Sequence, residues 1–514
     1  MAALLAIGGA ALATPRPDTA ALQDEVVYHI FTRSYRDSNG DRQGDLNGIT
    51  ASIPYLKSLG VTAVLLTPLY TSRVYHNYFA TDFAGIDPEF GTMADYQRMV
   101  RELHRNGMKI YLDMEFQYVA EGHPWWTAAR ADRNAPLADH LLWRDRAAGV
   151  MEDGPFGLRE IRHFGGDTHG VTTVALTHPR SQAYFTRYML DWVDPDHDGR
   201  FDDGVDGFRL DHMMDDLDSR GLQTNLFADF WKPLFTRLRA ANPRLMFVAE
   251  QADWTDIGAD YLTRADTSAV FAFPLHTALR RFDRDAIMAA IARTTAATPA
   301  GKHQLLFAEN HDVNRIASDP GITPEQLRTA AALIFGLKGT PSIYYGQELG
   351  MRGATLPGFA DDQDAIPLRE AFKWTATDAA PTQALWYRRS GAAYWDRRQA
   401  RDHDGISVAE QTGAPGSLLN HYRLLAQLRR AHPALRRGTQ SVTAQGPSLL
   451  IIERALGSER LVLVANLSAV PARYDGPGAD TPDLLGGGGP RLRPWQTALF
   501  KLPPSSLPHR ETMP

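Results

Sequence analysis

Four carboxylic acids stand at the ends of short apolar runs in this chain: Asp113 in MKIYLDM (108–114), Asp211 in VDGFRLDH (205–212), Glu250 in LMFVAE (245–250) and Asp312 just beyond QLLFAEN (304–310). One such acid could cap a following helix; four on different runs are too many for that role. Arg209 lies two residues before Asp211, so the two side chains share a strand face. Burying either is costly unless they pair or work. Taken alone, VDGFRLDH reads equally well as a structural ion pair closing a strand. With Glu250 beside it, a reaction becomes available. Hydrolysis of a glycosidic bond with retention needs an ionised and a protonated carboxyl about 5–5.5 Å apart, and adjacent strands lie about 4.8 Å apart. A guanidinium favours the ionised form of a neighbouring carboxylate, whereas the apolar approach FVA suits Glu250 to hold a proton.

These groups need a scaffold that brings strand ends together. The four runs belong to a series of eight, completed by VVYHIF (26–31), AVLLTP (63–68), AVFAFP (269–274) and TPSIYYG (340–346). Helical patterns such as ITASIPYLKSLG (49–60), MADYQRMVRELHRNG (93–107) and LFADFWKPLFTRLRAAN (226–242) lie between them. Alternating buried strands and amphipathic helices make parallel βα units. Eight units predict an α/β fold, a (β/α)8 TIM barrel over 23–115 and 177–436, closed by the helix SLLNHYRLLAQLRRAHPAL (417–435). In such a barrel, loops gather catalytic groups at the C-terminal strand ends. The polar, Trp- and His-rich stretch 116–176, between the third and fourth runs, is longer than a loop and helix require, so a small inserted domain is expected over the barrel mouth. From 437 to 514 the pattern changes to SLLIIERA, RLVLVANL and TALFKL with turns such as GGGGP (486–490), which predicts a C-terminal all-β sandwich.

The 514 residues are 44% apolar and 22% charged, with a formal net charge of −6, which leaves no basic footprint for nucleic acid. The absence of cysteine removes disulfides, thiolate metal sites and thiol nucleophiles. No apolar run reaches the ~20 residues that span a bilayer. The opening MAALLAIGGAALATPRP joins a short apolar run to an Ala11-x-Ala13 pattern but lacks a basic start. Residues 1–22 are therefore expected to be an export leader or a disordered tail, and the protein secreted or periplasmic, with the cytoplasm as the alternative.

As a set, GFRLD (207–211), FVAE (247–250), FAENHD (307–312) and TPSIYYGQELGM (340–351) resemble the motifs of the α-amylase family of glycoside hydrolases, family 13, in order and position from about residue 25 to 504. The resemblance implies Asp211 as nucleophile, Glu250 as general acid/base and Asp312 as the third carboxylate, gripping sugar hydroxyls. Arg209 and His311 would be their polar partners. HNYFATDF (76–83) is similar to the family's loop after the second strand, which implies His76 and Tyr78 as sugar contacts, although Tyr78 alone could equally be a core residue. LDMEFQYV (112–119) keeps Asp113 but has Gln117-Tyr118 where relatives carry Asn-His, residues that serve calcium and sugar respectively. The Lys-His that often follows the nucleophile is also absent, leaving His212 and Asp215 as candidates for leaving-group contacts.

The activity so implied is retaining cleavage of α-1,4-glucosidic bonds in starch and maltooligosaccharides through a glucosyl-enzyme intermediate, by a monomer. The alternatives are an oligosaccharide α-glucosidase, a cyclomaltodextrinase or a glucosyltransferase of the same family. A silent glucan-binding member is disfavoured because all three carboxylates are present.

Two loops have the spacing of cation ligands. DSNGDRQGD (37–45) offers Asp37, Asn39, Asp41 and Asp45 with the Gln43 carbonyl between them, and DPDHDGRFDD (194–203) offers Asp194, Asp196, Asp198 and Asp202. Alternate oxygen ligands around a turn suit Ca2+ at one or two structural sites, against solvated Asx-rich turns. The first loop also resembles the calcium loop of the oligo-glucosidase branch. Histidines 29, 104 and 303 carry no motif and are expected in core or surface roles. Trp125 or Trp126 of HPWW (123–126) could meet a glucan or pack the insert.

Overall fold

The computed structural model describes residues 22–162, 167–218, 220–357, 361–390 and 398–503. The leader call therefore lies outside the described residues apart from Leu22, as does 504–514 at the other end. Eight strands close a barrel: β1 (Val27–Ile30), β2 (Ala63–Leu66), β3 (Lys109–Met114), β4 (Gly207–Met213), β5 (Met246–Gln251), β6 (Ala269–Phe271), β7 (His303–Leu306) and β8 (Thr340–Tyr344). Each pairs in parallel with its neighbours in sequence, and β8 closes onto β1. All eight lie on the runs read from the sequence. Val27, Leu65, Tyr111, Val248, Phe271 and Leu305 belong to a separate buried cluster within the barrel.

Helices clothe the outside for the reason their periodicity gives. In Met93–Arg105 the buried residues are Tyr96, Met99, Val100 and Leu103, one stripe of the helix, and Thr92 and Asp95 cap its start reciprocally. Two predicted helices are broken. The 49–60 pattern is Leu46–Ala51 followed by Ile53–Leu59, and the 417–435 pattern splits into Leu418–Ala431 and Pro433–Arg437, because Pro433 lacks the amide needed to continue the first helix.

The segment after β3 does not stand by itself. A five-stranded sheet runs in the order Thr71–Ser72, Ala80–Asp82, Tyr118–Ala120, Thr168–Thr173, Glu160–Arg162. The long loop after β2 thus supplies two strands, and the chain between them carries His76 and Tyr78. Pairing of this kind satisfies backbone groups that a free sheet edge would expose. Trp125 of HPWW is buried and stacks on His140 at 4.1 Å, so it packs the insert.

The C-terminal region is a four-stranded antiparallel sheet, Thr439–Gln445, Leu449–Leu456, Glu459–Asn466 and Thr497–Lys501, with a two-stranded ladder of Ala472–Arg473 and Arg491–Leu492. One face packs Val462, Val464 and Phe500 against Tyr474 and Leu492; the other presents Ile452, Leu463 and Leu499 to the main core. TQSVTAQ at 439–445 is mostly polar, which is why its strand carries no apolar signal. Among the described residues no helix is long and apolar enough to cross a membrane.

Candidate active site

At the C-terminal end of the barrel, Arg209 is only 1% exposed. Its level is set by register, since Arg209 pairs with Asp113 on β3 and with Val248 on β5. Nη1 donates to both Asp113 oxygens at 2.7 and 2.8 Å and also pairs with Asp211, while Nη2 meets Glu250 Oε2 at 2.8 Å. The guanidinium carbon lies 6.0 Å from the Tyr78 ring centre and 5.9 Å from that of Phe271. Burial alone would lower the pKa of Arg209, but Asp113, Glu250 and Asp211 raise it well above its usual value.

Beyond Arg209 the pairing of β4 with β5 shifts. Leu210 faces Ala249 and Met213 faces Gln251, so Asp211 and His212 together oppose the single residue Glu250. This bulge bends the strand end and re-aims its side chains. His212 takes the strain, with a left-handed φ of 44°, and its amide donates to Glu250 Oε2 at 3.1 Å. Oε2 thus accepts from two donors, whereas Oε1 is buried with no hydrogen-bond partner. Burial, with Asp211 and Asp312 nearby, raises the Glu250 pKa well above the carboxylate range despite Arg209. With both donors on Oε2, the proton of the acid form belongs on Oε1.

His76, Tyr78, Tyr118, Asp211, His212, Glu250, His311 and Asp312 all line one cavity of about 690 Å³, within the usual range for small-molecule sites. Tyr78 and His311 stack with ring centres 5.2 Å apart and planes 5° from parallel. His76 Nδ1 accepts the Tyr78 amide at 3.0 Å. Burial and nearby positive groups hold His311 well below its usual pKa, so it is a neutral imidazole. Asp312 meets His311 Nε2 at 3.2 Å.

Arg209, Asp113 and Gln117, grouped by the sequence with the substrate contacts, stand behind the cavity wall. Asp113 accepts from Tyr78 Oη at 2.6 Å as well as from Arg209, and burial pushes it up to about 7. Gln117 is fully buried, and its Nε2 donates to the Asp211 and His212 carbonyls at 3.1 and 3.0 Å, which secures the bulge. Asp215 is drawn away, pairing with Arg264 at 2.7 Å and accepting the Phe227 amide at 2.8 Å.

Two charged wall residues were not picked out from the sequence. Glu115 lines the cavity beside Asp211 and is held by the amide and side chain of Gln117. Burial and the Asp211 charge raise its pKa well above normal. The two-residue step from Asp113 through Glu115 to Gln117 was a usable signal. Arg369, from the loop after β8, donates to the His311 carbonyl at 2.9 Å, to Tyr75 Oη at 2.7 Å and to Asp312 at 3.0 Å. Nothing in its local sequence marks it.

The two acidic loops behave differently. In 37–45 the carboxylates are occupied by local turns. Asp37 accepts the amides of Asn39, Gly40 and Arg42 at 2.9, 2.7 and 2.7 Å. Asn39 accepts the Asp41 amide, Asp41 accepts the Gln43 amide, and Asp45 is committed to Ser38 and to the Gly48 amide of the following helix. In the second loop, oxygens of Asp194, Asp196 and Asp203 lie within 4.8 Å of one another and can hold a metal ion. Asp203 is 0% exposed, and its Oδ1 and Asp194 Oδ1 are buried without partners. Burial and Asp196 push Asp203 up to about 6 despite Arg101, which marks a cluster short of positive charge. Asp198 and Asp202 instead turn outward to Arg200, so Asp203 replaces them in the set read from the sequence. The reason is chain direction: Asp203 lies at the turn into β4, which draws its side chain inward.

A family model described as the alpha amylase catalytic domain matches residues 29–438. The chain is 27% identical over 480 residues to Alpha-amylase 3 of Dictyoglomus thermophilum, covering 88% of this chain and 86% of that protein. It is 26% identical over 572 residues to an oligo-1,6-glucosidase of Parageobacillus thermoglucosidasius, covering 93% and 98%. The fold is similar to the crystal structure of an alpha-amylase from H. orenii, with a TM-score of 0.74 at 24% identity, covering 93% and 97% of the two chains.

Removing Arg209 would leave buried carboxylates without their cation. Arg209→Met is expected to cost about 3–5 kcal/mol of stability, read as a lowered denaturation midpoint. An unchanged midpoint would show that the carboxyls do not depend on it.

Proposed function

Because the chain belongs to the α-amylase family of glycoside hydrolases, we propose that it cleaves α-1,4-glucosidic bonds in starch fragments and maltooligosaccharides, with retention at the anomeric carbon. The observation that carries this reading is the division of labour around one guanidinium. Asp211 and Glu250 sit on the two Nη atoms of Arg209, and Glu250 keeps one oxygen, Oε1, buried without a partner. Groups on neighbouring strands suit the ~5–5.5 Å spacing of retaining enzymes better than the wider gap of inverting ones.

In the first step an Asp211 oxygen forms a bond to the anomeric carbon as the bond to the leaving oxygen breaks, and Glu250 Oε1 gives that oxygen its proton. In the second step Glu250, now a carboxylate, takes a proton from water, whose oxygen bonds to the same carbon and releases Asp211. Asp312, oriented by Arg369 and His311, accepts sugar hydroxyls. Tyr78 offers an aromatic face to the ring being cleaved, while Asp113 fixes its hydroxyl. Glu115, protonated beside Asp211, supplies a hydrogen bond to the nucleophile.

Wild type is expected to release maltooligosaccharides and glucose from soluble starch and maltotriose. Asp211→Asn and Glu250→Gln should each lower kcat on the order of 10²–10⁴-fold. The anomeric proton signal of the first product tests retention, and an inverted first product would sink the mechanism.

The raised pKa of Glu250 also fixes the sign of one pH response. The acid form persists to a higher pH than an ordinary carboxyl allows and is lost as pH rises through its pKa, so kcat/KM for maltotriose falls on the alkaline side. Glucosyl transfer from α-glucosyl fluoride to Asp211 needs no proton at the leaving fluoride, so its single-turnover rate should lack that limb. If both substrates show the same limb, Glu250 is not its source.

We further assign a calcium ion to Asp194, Asp196 and Asp203. An ion there would tie the end of the helix Pro179–Val193 to the start of β4 and add about 2.7 kcal/mol at a concentration one hundred times Kd. Calcium should therefore raise the thermal midpoint, and Asp203→Asn should abolish that response. A response retained by this variant would move the ion elsewhere, for example to the 37–45 loop.

A further inference from the structure

The carboxyls assigned to catalysis all stand at the C-terminal end of the barrel. At the opposite end lies a second cavity, of about 670 Å³. Glu25, Thr62, Lys109 and Asp206 line it, and they stand just before or at the first residues of β1, β2, β3 and β4. The helix Leu418–Ala431 makes another wall with Arg423, Gln427 and Arg430, which share one face by their spacing of four and three residues. The volume is in the range of small organic ligands.

Charge is unevenly matched around this cavity. Its carboxylates each have a basic partner: Asp24 with Arg437 at 2.9 Å, Glu25 with Lys109 at 2.8 Å, Asp202 with Arg200 at 2.8 Å and Asp206 with His104 at 2.8 Å. Lys57, Arg423, Arg429 and Arg430 also line it, and among the described residues none of them pairs with a carboxylate. Lys57 donates to Asn106 Oδ1 at 3.2 Å, and Arg423 to Asn420 Oδ1 and Ser58 Oγ at 3.0 and 3.2 Å, all neutral acceptors. Arg430 is exposed and makes no side-chain hydrogen bond among the described residues, and the same holds for Gln427.

Helix dipoles account for Lys57 and Arg430, each in the last turn of its helix. Arg429 needs more. It is only 1% exposed, and its Nη atoms donate to the carbonyls of Phe335, Leu435, Gln23 and Gly339 at 3.0, 2.9, 2.8 and 2.6 Å. Those bonds fix the side chain but bring it no negative charge. Its Nε is left buried without a partner. Burial, with Arg454 and Arg436 nearby, pushes its pKa down to about 9 despite Asp24. A buried cation calls for a counter-charge, and the free space against this one is the cavity.

We propose that this cavity binds a phosphorylated sugar, with the phosphate against Arg429 and Arg430 and the sugar hydroxyls toward Gln427, Arg423 and Lys57. A phosphate monoester carries close to two negative charges and three acceptor oxygens, enough to serve Arg429 Nε and the open fork of Arg430 together. Inorganic phosphate would leave most of the volume empty. Arg423 and Arg430 are two helical turns apart, about 10 Å, a span that a sugar ring with its phosphate can bridge, and Gln427 between them offers both a donor and an acceptor to hydroxyls. Asp206 lies five residues before Asp211 on the same strand, roughly 16 Å away, so the ligand does not compete with a glucan at the catalytic end.

The test is calorimetric titration of the full chain with glucose 6-phosphate, glucose and inorganic phosphate. Glucose 6-phosphate should bind one to one, with glucose and inorganic phosphate each weaker by about tenfold or more. Arg430→Gln removes an exposed side chain and leaves the core intact; it should weaken glucose 6-phosphate about tenfold or more, Arg429→Met at least as much, and Arg473→Gln on the C-terminal ladder not at all. In Asp211→Asn, saturating maltotriose should leave that affinity unchanged. Absence of binding at about 10 mM glucose 6-phosphate, displacement by maltotriose, or an affinity unmoved by Arg430→Gln overturns the inference. Inorganic phosphate bound as tightly as the ester overturns the sugar assignment. Because the readout is binding rather than turnover, failure of the proposed activity would leave this result standing.

Discussion

The guanidinium of Arg209, buried against Asp113, Asp211 and Glu250, is the interaction on which the rest of the site depends. A buried cation demands anionic partners, and the barrel supplies them from three consecutive strands at one level. Three carboxyls on one cation are more negative charge than a buried site tolerates, so at least one must keep its proton. Burial, with Asp211 and Asp312 nearby, favours the acid form at Glu250. The bulge decides which of its oxygens is left: by placing the His212 amide on Oε2, which already meets Arg209, it leaves Oε1 without a partner. Burial, with the Asp211 charge added to it, accounts for the elevated pKa values of Asp113 and Glu115, which stand around the same centre.

A second consequence is a division into layers. Arg209, Asp113 and Gln117 contact no open space; they fix the side chains and backbone that do. Tyr78 stands on Asp113, and the Asp211–His212 bulge on Gln117. On the opposite wall Arg369 does the same for Asp312 from a distant loop. Rigid support of this kind keeps reacting groups within the narrow geometry that catalysis needs. The rim is built differently. It comes from the insert and from the loop after β5, where changes do not disturb the barrel, and such loops are where related barrels acquire different specificities. The similarity of this chain to both an alpha-amylase and an oligo-1,6-glucosidase is consistent with that arrangement.

The barrel was legible because its strands are buried on both faces and so appear as continuous apolar runs, each ending in a turn or an acid. The strand-end carboxyls were legible for the same reason, since an acid closing an apolar run is conspicuous. Polar elements were not. The strand 439–445 lacks an apolar signal, and the strands 71–72 and 80–82 are too short and mixed to stand out, so the participation of the loop after β2 in the inserted sheet was hidden. In the acidic loop 194–203, spacing along the chain pointed to Asp198 and Asp202, whereas it is Asp203, at the turn into β4, that lies beside Asp194 and Asp196.

The sequence by itself determined the eight-stranded scaffold, the three carboxylates and the partnership of Arg209 with Asp211, because each rests on local periodicity or on two residues sharing a strand face. Tertiary structure alone decided which oxygen of Glu250 stays free, which predicted contacts retreat behind the wall, and that Arg369 reaches the cavity. Those facts depend on register between strands and on contacts between residues far apart in the chain. Such distances exist only once the barrel has closed.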